Sequence, residues 1–154
     1  RKMKKLIKAS LVMVMAFCPL IVEAQEQQMN AEEAEQLLIE YAQEKAQACP
    51  VEEEKELYLI MMGYEDHQMN VVYSVSHENY EMGKNNQNLL RTNYIEEMKK
   101  NKEKRGMATL LTIADSSLAL IFLDQSLGDD AINKPLTIAF SEDELKSILQ
   151  DPVE

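Results

Sequence analysis

Val71, Tyr73 and Val75 alternate with Val72, Ser74 and Ser76, and this period of two constrains the fold more than any other stretch. Successive strand residues point to opposite faces, so the alternation predicts a strand with one covered face and one partly wet face. Leu136-Thr137-Ile138-Ala139-Phe140 repeats the pattern, with Pro135 at its start marking an edge or a strand beginning. Leu57 to Met62 and Leu118 to Leu123 are short apolar runs that read as buried strands. A half-covered sheet needs a second layer, and the helical stripes supply it.

Asn30 with Glu33 and Ser141 with Glu144 have capping-box spacing, each opening a helix. The first helix carries Ala34, Leu37, Leu38, Tyr41 and Ala42 on one stripe and must end near Cys49, because Pro50 pushes the residue before it out of helical geometry. A second helix over about 88–102 spaces Leu90, Tyr94 and Met98 by four, and Gly106 interrupts it. Met107, Leu110, Leu111 and Ala114 then restore helical spacing, although 109–113 fits a strand equally well. Residues 77–87 and 126–133 read as polar loops, and Leu145, Ile148 and Leu149 as a last helix stopping before Pro152. The expected fold is a two-layer α+β domain: helix and hairpin, helix and hairpin, then a C-terminal helix. Its four-stranded antiparallel sheet carries the helices on one face.

Met3 to Ala24 reads as a secretory signal peptide, with Arg1 and Lys2 as two extra residues upstream. Lys4, Lys5 and Lys8 precede an apolar run, and Val22-Glu23-Ala24 offers small residues for cleavage. The apolar run is too short for a transmembrane span. Cys18 follows the bulky Phe17, so a lipoprotein is the weaker reading than soluble export. The organisation expected is thus signal peptide 1–24, flexible tether 25–29 and one domain over 30–154, periplasmic or secreted. Such a domain buries roughly two thirds of its unfolded surface and can hold a core without disulfides. Cys49 is then the sole cysteine, expected to be buried and inert.

Without residues 1–24 the chain keeps 11 Lys and Arg against 26 Asp and Glu, a formal charge of −15. That surface repels nucleic acid and anionic headgroups, so neither nucleic acid nor membrane is an expected partner after cleavage. Residues 84–105 reverse the balance, with 3 acids and 7 bases, and a basic helix packed among acidic elements would neutralise them.

The helix ending in Ala46-Gln47-Ala48-Cys49-Pro50, the acidic stretch, the Val71-Val72-Tyr73-Ser74-Val75 strand and the Asn93-Tyr94-Ile95-Glu96-Glu97-Met98-Lys99-Lys100 helix together form a pattern. It resembles small exported proteins of Bacteroides-type bacteria that have no assigned activity. The resemblance spans most of residues 30–149; it implies export and this fold, and no reaction.

No constellation names a chemistry. His77-Glu78-Asn79-Tyr80-Glu81 lacks the second histidine of a zinc-protease helix. Met61, Met62, His67 and Met69 are copper-type donors grouped around the first hairpin, but methionines there also serve as core filler. Asp124, Asp129 and Asp130 lack the spacing of a calcium loop. Tyr64 and Tyr80, expected in loops beside acids, are candidates for an exposed contact surface, as is the wet strand face of Val72, Ser74 and Ser76. These residues favour a non-enzymatic, acidic interaction domain that needs no cofactor and binds an envelope or host protein. The alternative is a periplasmic metal-binding protein of the copper type, or a hydrolase without a recognisable motif.

Overall fold

The computed structural model describes residues 29–150. The expected signal peptide and most of the expected tether lie outside them. The first helix, α1 (Ala31–Ala48), begins as its sequence requires: the Asn30 side chain accepts from the Glu33 amide at 2.8 Å, and the Glu33 carboxylate accepts from the Asn30 amide at 3.2 Å. Such a cap is worth about 1 kcal/mol. At Cys49 the backbone turns extended, φ −71° and ψ 150°, ahead of Pro50.

Three strands follow, β1 (Val51–Glu54), β2 (Leu57–Glu65) and β3 (Gln68–Val75). Helices α2 (His77–Asn85), α3 (Gln87–Lys100) and α4 (Lys102–Ile113) lead to β4 (Ser117–Asp124). A 3-10 segment (Gln125–Asn133), β5 (Leu136–Phe140) and α5 (Glu142–Gln150) complete the described chain.

The α+β class is as expected, but the sheet is not the four-stranded antiparallel one. It has five strands in the order β1-β2-β3-β4-β5, with β3 and β4 parallel. The extra strand is the acidic run, whose four residues are all exposed, so no apolar alternation betrayed it. The parallel pair arises because three helices separate β3 from β4. A crossover of that length brings the chain back to the same end of the sheet, where a tight turn would have reversed it.

Two expected loops are helical. Ser76 caps α2 by accepting from the Asn79 amide at 3.2 Å, and residues 125–133 form 3-10 turns kinked at Gly128, whose φ is 57°. The break between the middle helices falls at Asn101, not Gly106. Asn101 is extended and its side chain accepts from the Lys104 amide, whereas Gly106 is buried inside α4. Residues 109–113 are helix.

All five helices pack on one face of the sheet. Leu59, Val71, Tyr73, Leu120 and Phe140 meet Leu38, Met98, Leu110, Leu111 and Leu145 in a single core. The basic helix neutralises its neighbours. Arg91 of α3 pairs with Glu144 of α5 and lies 4.3 Å over the Phe140 ring; Lys104 pairs with Glu97 at 2.6 Å.

Candidate functional site

The face of the sheet turned away from the helices is the less covered one: Met61, Thr137 and Ala139 on it are exposed, Val72, Ser74, Ile121 and Leu123 half-buried, and Ala119 buried. Register fixes its composition. Met61 pairs with Val72, Val72 with Ile121 and Ile121 with Thr137, forming one row across four strands. Tyr58, Ser74 and Leu123 form the next row, and Gly63, Asn70, Ala119 and Ala139 the row on the other side. None of these side chains is charged, in a sequence where 28% of residues are. Met61 is 59% exposed, and Ile60 stands beside it where the β2–β3 register shifts.

Acids border this face. Glu52 lies opposite Tyr58 on β1, and Glu65 closes β2 beside Asp66 of the turn. A hydrogen bond to Glu52, and then its charge, push the Tyr58 hydroxyl above its usual range. The surface is thus a neutral, largely apolar floor with an acidic edge.

Of the residues the sequence offered for contact, Val72 and Ser74 are on this face and half-buried. Ser76 is not; its hydroxyl is spent on the α2 cap. Tyr64 is not in a loop, because β2 runs through to Glu65 before a tight turn of Asp66 and His67, both with positive φ. It points to the helix side, donating to Glu35 Oε1 at 3.1 Å and sharing a 2.7 Å hydrogen bond with Ser116 Oγ. Tyr80 is the buried residue of α2, and its hydroxyl donates to the Lys134 carbonyl at 2.8 Å. Burial removes it from any exposed surface. Ile121 and Leu123 went unnoticed because Leu118 to Leu123 is apolar throughout, so its alternation leaves no trace in hydropathy. The pairing of β4 with β3 was the missing signal.

The four copper-type donors do not converge. Met61 is on the open face, Met62 and Met69 are in the core, and His67 sits in the turn 3.2 Å from Glu35. Cys49 is half-buried rather than buried. Its thiol donates to the Lys45 carbonyl at 3.2 Å, and partial burial followed by the Glu53 charge pushes it up.

One histidine does have a partner that the sequence did not suggest. His77 Nδ1 lies 2.7 Å from Asp124 Oδ2, at the adjacent ends of the parallel strands, and Asp124 Oδ1 accepts from the Ser126 amide and hydroxyl. Burial pushes the Asp124 carboxyl up, but the hydrogen bonds from His77 and Ser126 outweigh it and leave it below the usual range. The same bond, with the Asp124 charge, raises His77. All of these contacts lie on the helix side of the sheet's end.

Neither a protein-family model nor a curated protein matches the chain. Among solved structures it is similar to a putative secreted protein of Pseudomonas aeruginosa. The TM-score is 0.59 at 18% identity, over 73% of this chain and 93% of that one. At that identity the likeness shows a shared fold. No helix among the described residues is long and apolar enough to cross a membrane.

Proposed function

We propose that this protein is an exported, non-enzymatic interaction domain that holds a partner protein against the open face of its sheet. The observation that carries this reading is the uncharged row Met61, Val72, Ile121 and Thr137 with its flanking rows, uncovered on a strongly acidic chain. Four strands about 4.8 Å apart, with about 3.3 Å per residue, make a surface of roughly 300–400 Å². Exposed apolar patches of that size on monomers are often functional. The acidic edge selects the partner: an apolar patch flanked by lysine or arginine meets complementary charge, and other acidic proteins are turned away.

A photo-reactive residue placed at position 121 is expected to cross-link an envelope or host protein that one placed at Gln36 does not. With that partner purified, Ile121→Asp and Val72→Glu should each weaken binding at least tenfold, about 1.4 kcal/mol, without unfolding the domain. Unchanged affinity in both variants overturns the proposal. Export is checked separately: the mature protein should begin at Gln25 by intact mass, and a form beginning at an acylated Cys18 would contradict it.

A further inference from the structure

On the helix side, a cleft of about 400 Å³ opens between β1–β4 below and α1, α3 and α4 above. That volume is at the lower end for small-molecule sites. Its floor is apolar, made by Leu59, Met62, Val71 and Phe122. Its walls carry three tyrosines, Tyr41, Tyr73 and Tyr94, with carboxylates and two lysines around them. A second hollow of about 390 Å³ adjoins it, sharing Leu57, Leu90 and Phe122, so an apolar stem has room to run on.

The three hydroxyls are not equivalent. Tyr41 donates to Glu103 Oε2 at 2.6 Å, while burial first, with the Glu53 carboxylate among its neighbours, pushes the Tyr73 hydroxyl far above its usual range. Tyr94 is only 8% exposed, and its hydroxyl reaches the cleft without a hydrogen bond to any described residue. Burial first, and then the charges of Glu97, Glu53 and Glu103, hold it protonated far above its usual range. That oxygen is not sealed off, since Arg105 Nη1 is the only fully buried side-chain nitrogen or oxygen without a partner among the described residues; the hydroxyl opens on the cleft and can donate to a bound group.

The charges are uneven too. Lys45 is taken by Glu103 and Lys104 by Glu97, each at 2.6 Å. Glu53 and Glu54 have no ion-pair partner among the described residues, so the cleft holds two more carboxylates than ammonium groups. The ring faces already receive cations: Lys45 is 5.8 Å from the Tyr41 centroid and Lys104 is 5.2 Å from that of Tyr94.

We propose that this cleft binds a small organic amine, its cation paired with Glu53, its apolar body on the Leu59–Phe122 floor and an acceptor oxygen met by the Tyr94 hydroxyl. The site is separate from the open sheet face, so either stands without the other.

Tyramine, neutral tyrosol and anionic 4-hydroxyphenylacetate share a phenol and differ in charge, which makes them the probes. Methionine-methyl NMR of the mature protein reads both surfaces, since Met62 and Met107 line the cleft and Met61 is on the open face. Tyramine should shift Met62 and Met107 saturably and bind at least tenfold more tightly than 4-hydroxyphenylacetate, leaving Met61 unmoved. Glu53→Gln should erase the preference for tyramine over tyrosol. Tyr94→Phe should weaken tyramine several-fold while the thermal midpoint holds, because the hydroxyl supports nothing in the fold. The proposal is overturned if no cleft methyl shifts at about 10 mM tyramine, ten times a millimolar Kd. Equal affinity for the amine and the acid, or an intact preference in Glu53→Gln, overturns it as well.

Discussion

The two faces of the sheet are built from the same strands and differ mainly in what lies over them. On β3, Val71, Tyr73 and Val75 meet the helices, while Val72 and Ser74, one residue away, meet none. The uncovered face is less apolar, with Asn70, Ser74 and Thr137 on it, yet Met61, Val72, Ile121 and Leu123 stand at its centre. Hydrophobicity thus decides only in part which residues are covered. The helices can shield one side of a five-stranded sheet, and the other side stays as it is. An apolar centre free of charge in so acidic a chain is the observation on which the proposed partner binding rests.

The sharpest way to break this comparison is to truncate the covered face. Tyr73 is 5% exposed and stacks on Phe122 at 5.2 Å. Tyr73→Ala should cost about 3–5 kcal/mol in denaturant unfolding. A loss below about 1 kcal/mol would mean that the helix layer is not packed as described.

A smaller effect is expected from the His77–Asp124 couple at the end of the covered side, and it is read against pH. The folded-state value of His77 is raised, so its contribution is fully present below the ordinary histidine value of about 6.5 and fades as pH rises through the folded value. That of Asp124 is lowered, so its contribution is present above about 3.9 and is lost as pH falls through the folded value. Thermal midpoints of the native chain should thus be highest between about pH 4 and 6.5 from this pair, and His77→Gln should flatten the decline above that window. An identical profile in the variant would show that the couple does not contribute.

The smallest effect belongs to the open face. Ser74→Ala should stay within about 0.5 kcal/mol, as surface changes usually do. A loss at Ser74 as large as that at Tyr73 would mean that the two faces are assigned the wrong way round.

The local features were legible in the chain. Asn30 with Glu33 and Ser141 with Glu144 form their capping boxes, Pro50 follows the end of α1, and the alternation of β3 places Tyr73 inward and Ser74 outward. Each of these depends on residues within a few positions of one another, where spacing along the chain and distance in space are the same thing. The α2 helix was hidden by its Asn and Gly content, and β1 by its charge; both hold through caps and pairing that composition does not display.

What only the tertiary structure decided is which surfaces exist at all. The parallel register of β3 on β4 set Ile121 beside Val72, and so made a continuous open face out of a run with no visible period. Packing brought Tyr41, Tyr73 and Tyr94 from three different elements around one cleft, and set His77 against an aspartate 47 residues away. The same packing withdrew Tyr64 and Tyr80 from the surface. A sequence fixes periods, caps and turns because those interactions are short-ranged. Surfaces and sites arise from contacts between distant segments, which the core selects when it closes.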